Sequence, residues 1–320
     1  MTDFWTDRRV LVTGGSGFLG GAVVARLQAA GVAEAIVPRS AQVDLRDRSQ
    51  TARLFATTNP DLVIHLAAKV GGIGYNQLHP AELYLDNLLK GTYVVEEARA
   101  HDVERTVLVG TVCSYPKEPP VPFHEESLWN GYPEETNAPY GIAKLAQLVH
   151  AQTARQQYGQ SVTYLIPTNL YGPGDKFNPA VSHVIPALIK KCVEAVESGA
   201  DHIELWGTGS ASREFLYVDD AAEGIVLAAE RYDEADPVNL GTDHEVPIRD
   251  LAVEIAEATG FSGDLRWDST KPDGQPRRRV DNSRARERFG FTASTSFADG
   301  LRRTVDWYLA NRATAEERTN

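Results

Sequence analysis

Short apolar runs alternate with amphipathic stretches along the first half of the chain. The apolar runs are continuous, which is typical of strands buried on both faces of a parallel sheet. They predict strands at residues 9–13, 33–37, 62–66, 106–109 and 161–166, and the amphipathic stretches predict helices at 17–30, 48–57, 80–101 and 137–158. Such alternation produces right-handed βαβ units, so the pattern predicts a Rossmann-type, doubly wound α/β sheet.

The rhythm loosens after residue 172. It predicts helices at residues 182–198, 219–231, 248–259, 283–289 and 297–311, with one strand at 202–205. We therefore expect a nucleotide-binding Rossmann domain of residues 1–172 plus about 213–242. A smaller, mainly C-terminal α/β substrate domain would take about 173–212 and 243–320, with a cleft between the two.

Composition narrows the choice of partners. The 320 residues are 42% hydrophobic and carry a formal net charge of −12, which suits a globular protein and disfavours broad nucleic-acid or membrane-surface binding. The two cysteines, Cys113 and Cys192, form neither a disulfide framework nor a metal-ligand spacing. Because the chain shows neither an apolar run of roughly 20 residues nor a signal-peptide pattern, we expect a cytoplasmic protein without metal, nucleic-acid or membrane partners.

A glycine-rich loop connects the first predicted strand to the first predicted helix. It reads TGGSGFLG at residues 13–20, with glycines 14, 17 and 20 spaced three apart. In this context glycines let the backbone approach a dinucleotide pyrophosphate, whose negative charge the helix N-terminus favours. The loop residues expected to bind the cofactor are Gly14, Gly15, Ser16, Gly17, Phe18, Leu19 and Gly20.

The end of the second strand indicates which dinucleotide binds. An acidic residue there would accept hydrogen bonds from the ribose 2′-hydroxyl of NAD, but this chain has Val37-Pro38-Arg39-Ser40. Arg39 can pair with a 2′-phosphate, so the sequence predicts NADP(H). Asp44 and Leu45 follow where contact with the adenine is expected.

Tyr140 and Lys144 lie four residues apart on a predicted helix, so their side chains share one face. The lysine ammonium and the nicotinamide charge are expected to lower the tyrosine pKa from about 10, which favours proton transfer near neutral pH. Gly110 and Thr111 follow the fourth predicted strand, where the threonine hydroxyl could hold a substrate carbonyl beside Tyr140.

Together with the run HLAA at residues 65–68, these features resemble the extended short-chain dehydrogenase/reductase family. Further motifs are similar to its GDP-L-fucose synthase branch: AAKVGGI at 67–73, CSYPK at 113–117, PTNLYGP at 167–173, SHVIPAL at 182–188, WGTG at 206–209, REFL at 213–216 and KPDG at 271–274. The resemblance runs from about residue 8 to 310. It implies NADPH-dependent 3,5-epimerisation and 4-keto reduction of GDP-4-keto-6-deoxy-mannose, giving GDP-L-fucose.

The resemblance also implies roles for individual residues. Cys113 would be the base that removes a proton beside the ketone, provided that the backbone stays extended after Thr111 and that positive neighbours lower the thiol pKa from about 8.5. His183 would be the acid on the opposite face. Cofactor contacts would include Leu66, Ala67, Ala68, Gly110, Tyr140, Lys144, Pro167, Asn169, Leu170 and His183, and nucleotide-sugar contacts Lys191, Trp206, Arg213 and Lys271.

Three further positions carry expectations. Asn87, on the helix after the third strand, is expected to help order Lys144. The arginine run at 277–279 is expected to form a solvated basic surface. The family more usually has serine where this chain has Thr111; the hydroxyl is kept, and the added methyl could alter how the sugar ring sits.

Other reactions on the same scaffold stay open. The substrate could be another nucleotide-linked 4-keto sugar, such as a heptose or an antibiotic sugar. A 4,6-dehydratase would need acidic residues where this chain has Val112 and Cys113, a C4 epimerase would need neither Cys113 nor His183, and a non-catalytic NADP sensor should have lost the Tyr140–Lys144 pair. Family members are usually homodimers through a helix pair, for which residues 80–101 and 137–158 are the candidates.

Overall fold

A computed structural model describes residues 4–179, 181–271 and 273–317 of the chain. Its strands are β1 (Arg9–Thr13), β2 (Glu34–Ile36), β3 (Leu62–His65), β4 (Arg105–Val109), β5 (Val162–Pro167), β6 (Asn169–Tyr171), β7 (His202–Trp206), β8 (Ser212–Tyr217), β9 (Val238–Leu240), β10 (Glu245–Pro247), β11 (Asp264–Asp268) and β12 (Arg277–Arg278). Its helices are α1 (Phe18–Ala29), α2 (Arg48–Thr58), α3 (Ile73–Leu78), α4 (Pro80–Ala100), α5 (Ala138–Tyr158), α6 (Val184–Ser198), α7 (Val218–Arg231), α8 (Ile248–Thr259), α9 (Ser283–Phe289) and α10 (Phe297–Glu317).

A six-stranded sheet in the order β2-β1-β3-β4-β5-β9 forms the centre of the molecule, and all its pairings are parallel. Both faces are covered by helices. On β1, Val10 and Val12 pack with α1 and α7, whereas Leu11 packs with α2 and α4. This burial on both faces explains the continuous apolar runs, and the predicted doubly wound α/β fold is confirmed.

The remaining elements pack around a second apolar core, in which α6, α8 and α10 cover strands β7 and β8. β8 lies at the junction of the two regions, since it pairs with β6, β10 and β12. α7 packs against α1, and β9 completes the central sheet. The division into two domains stays a prediction.

The structure adds elements that the pattern did not predict. They are α3 and the strands β6, β8, β9, β10, β11 and β12, and α10 runs on to Glu317. Four of these strands, β6, β9, β10 and β12, have only two or three residues, too few for periodicity to separate them from loops. Within the described ranges, no helix has the length and apolar character needed to cross a membrane.

Candidate active site

The strand order reverses beside β1, because β2 lies on one side of it and β3 on the other. In open α/β sheets such a reversal leaves a crevice at the carboxyl ends of the strands, where ligands bind. Thr13 ends β1 opposite His65 at the end of β3, and their side chains share a hydrogen bond of 2.7 Å. The loops that follow these two strands, at 14–17 and 66–72, therefore form the two walls of the crevice.

The glycine loop has the close packing that a dinucleotide cradle requires. Gly14 has a φ of +76°, and a Cβ there would lie 2.8 Å from the backbone nitrogen of Ala67. A Cβ on Gly20 would overlap the Gly14 carbonyl, so the helix approaches the loop only with glycine at both positions. Gly17 caps α1 without a side-chain hydrogen bond, which leaves the first N–H groups of the helix available to an anion.

Arg39 follows β2 in the chain, and its side chain is exposed on the surface. Asp44 is held by Arg46, whose Nη2 lies 2.8 Å from the carboxylate, and this hydrogen bond lowers the Asp44 pKa. Leu45 is buried. A guanidinium is thus the exposed charge at the end of β2, while the first acid after it is already paired.

The predicted catalytic pair, Tyr140 and Lys144, lies on α5. Lys144 is 1% exposed and donates to the carbonyl of Val109 over 2.8 Å; burial, with a contribution from the charge of Lys90, lowers its pKa to about 7. Tyr140 shares a hydrogen bond with Thr111, but burial, followed by the neighbouring Cys113, raises the tyrosine pKa. The protein alone therefore shifts this pKa in the direction opposite to the expected one, because burial outweighs the hydrogen bond with Thr111, which lowers it.

Cys113 reaches the same site by a different route from the predicted one. The backbone does not stay extended after Thr111; residues Val112–Ser114 form a 3₁₀ turn, which Thr111 caps by accepting a 3.2 Å hydrogen bond from the Cys113 N–H. The expectation of an extended segment is wrong, since the threonine side chain satisfies a backbone donor and stabilises the turn. Cys113 still lies beside Tyr140, whose pKa it raises.

His183 is the N-cap residue of α6 and makes no side-chain capping bond. Its side chain keeps accessible surface, yet the protein around it excludes enough water to lower its pKa, helped by Lys176 and Arg278. Pro167 ends β5, and Asn169 and Leu170 follow it in β6, where Asn169 donates to the Glu214 carbonyl over 2.9 Å.

The four predicted nucleotide-sugar residues belong to neighbouring segments. Lys271 lies over the Trp206 ring at 5.8 Å, and Trp206 is 68% exposed. Lys191 donates to the carbonyl of Glu204 over 2.8 Å, two residues before Trp206. Arg213 lies against Gly274, and burial, with the neighbouring charge of Arg278, lowers its pKa to about 10. An exposed aromatic ring, two amines and a guanidinium suit a nucleotide and its phosphates.

Two expectations about positioning are wrong. The Asn87 side chain makes no hydrogen bond to Lys144; it bonds both the N–H and the carbonyl of Lys69, each over 2.9 Å, and so holds the loop after β3. Arg278 does not belong to a solvated basic surface, because it is 9% exposed with Nη1 3.8 Å from Sγ of Cys113. No local pattern could show the second contact, which joins residues 165 positions apart.

The chain matches a known protein family in sequence. The sequence model of the NAD dependent epimerase/dehydratase family matches residues 10–241. GDP-L-fucose synthase 1 of Arabidopsis thaliana is 42% identical over 303 residues, which are 95% of this chain and 94% of that protein.

Solved structures are similar over nearly the whole chain. A GDP-L-fucose synthetase from Naegleria fowleri superposes with a TM-score of 0.90 at 29% identity, covering 99% of this chain and 97% of that one. The same protein bound to NADP gives a TM-score of 0.88. A GDP-6-OMe-4-keto-L-xylo-heptose reductase from C. jejuni gives 0.90 at 25% identity, covering 96% and 99% of the two chains.

Proposed function

Because the chain belongs to the NAD dependent epimerase/dehydratase family, we propose that it converts GDP-4-keto-6-deoxy-mannose into GDP-L-fucose by 3,5-epimerisation and NADPH-dependent 4-keto reduction. One observation carries this proposal: Cys113 lies in the same site as Thr111, Tyr140 and Lys144. A simple C4 epimerase has no use for the thiol, and a 4,6-dehydratase would need an acid there. The 42% identity to a GDP-L-fucose synthase supports a 6-deoxy sugar and a guanine nucleotide as the two parts of the substrate.

The residues present fit NADP(H). The pyrophosphate would lie against the loop between Gly14 and Gly20, where the close packing that these glycines allow brings the N-terminus of α1 up to the loop. Arg39 would pair with the 2′-phosphate, as no free acid stands there to hold a 2′-hydroxyl. The Naegleria relative bound to NADP supports this choice. When bound, the reduced nicotinamide supplies the hydride for C4 of the sugar.

The side chains of this protein would divide the remaining work. The Cys113 thiolate would remove the proton next to the ketone, and His183 would return one from the other face, which inverts the carbon. Thr111, Tyr140 and Lys144 would stabilise the enolate oxygen between these steps. Tyr140 would then protonate the C4 oxygen as the ketone is reduced.

The nucleotide end of the substrate would lie against Trp206 and Lys271, with Arg213 on the diphosphate. Arg213 suits this role because its planar fork can hold two phosphate oxygens. The likeness to the C. jejuni heptose reductase makes a 4-keto heptose the second candidate substrate, since a longer C6 tail changes only part of the pocket.

The proposal includes a homodimer through α4 and α5. These helices pack together and leave Tyr84, Leu85 and Val149 at 40%, 51% and 44% exposure, apolar area that a second copy would cover. Sedimentation at equilibrium separates this dimer from the 35.1 kDa monomer. A cytoplasmic location fits the same proposal, because an accessible catalytic thiol stays reduced there.

The direct test mixes the purified protein with NADPH and GDP-4-keto-6-deoxy-mannose. We expect loss of nicotinamide absorbance and formation of GDP-L-fucose, identified by NMR of the product sugar. The same assay with a 4-keto heptose nucleotide gives its kcat/KM, which is compared with that of the 6-deoxy sugar nucleotide. No turnover of the 6-deoxy sugar at high enzyme concentration would overturn the proposal.

Replacing Arg39 tests the cofactor assignment. Arg39→Ser is expected to weaken NADPH binding by about 10–100-fold and NADH binding hardly at all, because a hydrogen-bonded charge pair to the 2′-phosphate is lost. Titrating protein against nicotinamide fluorescence measures both dissociation constants. Arg53→Ser, an exposed arginine on α2, is the matched control. Equal losses for the two cofactors would contradict the assignment.

A further inference from the structure

Arg278 differs from the neighbouring Arg277 in its surroundings. β12 runs parallel to β8 with Arg278 opposite Arg213, and successive residues on a strand point to opposite faces. Arg277 therefore faces solvent, where its Nε donates to Glu245 over 3.0 Å. Arg278 faces inward and is 9% exposed.

The inward face of β12 meets the 3₁₀ turn that carries Cys113. Nη1 of Arg278 lies 3.8 Å from Sγ of Cys113, within hydrogen-bonding reach of a sulfur acceptor. Nε of Arg278 donates to Oε1 of Gln275 over 3.1 Å. Gln275 in turn donates to the Lys117 carbonyl over 2.7 Å, so one amide fixes the guanidinium against the segment that follows the cysteine.

Two guanidinium groups lie near the thiol, and two carboxylates face Arg213 from the neighbouring segments. The titratable and charged groups that face Cys113, Arg213 or Arg278 are Arg278, Arg213, Tyr140, His183, Asp273 and Glu245. Arg278 lowers the pKa of Arg213, whereas Cys113 raises it, which places the two guanidinium groups and the sulfur close together. Arg278 also lowers the pKa of His183, so it stands near both residues assigned to epimerisation.

We propose that Arg278 is a positioning residue that holds Cys113 as a thiolate, the form able to take a proton from the carbon beside the ketone. The inference rests on the proposed function. In that step the C–H bond breaks, an S–H bond forms and the electron pair moves onto the carbonyl oxygen, after which His183 returns a proton to the opposite face. Because a thiolate and not a thiol is the base, a fixed guanidinium on the sulfur matters to this half of the reaction.

The first test measures the thiol directly and needs no substrate. The full-length protein is alkylated with iodoacetamide between pH 6 and pH 10, and modification of Cys113 is followed by mass spectrometry. Cys192 is 1% exposed and should react slowly. Arg278→Met is expected to slow alkylation at pH 7 by about tenfold, while rates at pH 10 agree within about threefold, because there the thiol ionises without help.

Two variants control this experiment. Arg277→Met, one residue away and exposed, should match the wild type at every pH. Arg278→Lys keeps a positive charge and should recover much of the rate at pH 7, which a purely structural role would not explain. If Arg278→Met fails to fold, Gln275→Leu, which releases the guanidinium, takes its place and should slow alkylation at pH 7 in the same direction.

The second test follows the products from the 4-keto sugar nucleotide. Arg278→Met should raise the fraction of reduced but unepimerised sugar, and Arg277→Met should not. The inference would be overturned if Arg278→Met or Gln275→Leu were alkylated at the wild-type rate at pH 7. It would also be overturned if Arg278→Met changed only the KM for the substrate, because Arg278 would then be a diphosphate ligand. If the wild type does not use the sugar, the proposed function fails while the alkylation result still decides the role of Arg278.

Discussion

Tyr140→Phe is expected to lower kcat for NADPH oxidation by about 10²–10⁴-fold, the usual contribution of a general acid. The hydroxyl lies in the site beside Thr111 and Cys113, and burial raises its pKa, so at neutral pH it holds the proton that the C4 oxygen needs. The substitution removes only this hydroxyl and keeps the ring. Stopped-flow absorbance at the nicotinamide band gives kcat, and fluorescence titration gives the NADPH dissociation constant, which should change by less than about threefold.

The matched control is Tyr158→Phe on the same helix. Tyr158 ends α5, is 53% exposed and lies outside the site. It should keep the wild-type kcat. A Tyr140→Phe enzyme that retains more than about a third of the wild-type kcat would show that another group donates the proton.

The parts of the site that lie close together in sequence could be predicted. The glycine loop follows β1 directly, and Tyr140 and Lys144 are one helical turn apart, so a local pattern is enough to place them on one loop and one helix face. β1 was predicted with its observed bounds, since both of its faces are buried.

The rest depends on contacts between distant residues. Thr111 caps a 3₁₀ turn rather than continuing a strand, because its own side chain competes with the extended backbone. Asn87 bonds Lys69, 18 positions away, and Lys144 instead finds the Val109 carbonyl. Arg278 lies in a run of three arginines, and only its pairing with β8 turns it inward. Tertiary packing determines these contacts, and the hydrophobic pattern and composition of the sequence do not predict them.

Cys113→Ser is expected to lower the rate of epimerisation by about 10²–10⁴-fold, because a serine hydroxyl stays protonated near neutral pH and cannot act as the base. Reduction should continue on the unepimerised sugar, since Tyr140 and Lys144 are untouched. In D₂O, the wild type should place deuterium on the carbons beside the ketone, and Cys113→Ser should lose this exchange; NMR of the product reads both the label and the stereochemistry.

Cys192→Ala controls for the loss of a thiol. Cys192 is packed inside α6 within the second core, where a small apolar residue can replace it with little change. Its product should be fully epimerised. If Cys113→Ser still forms GDP-L-fucose and exchanges deuterium at the wild-type rate, the base is another residue. If Arg278 acts through this sulfur, the double variant Arg278→Met/Cys113→Ser should epimerise no more slowly than Cys113→Ser alone. Two independent roles would instead multiply their effects on the rate.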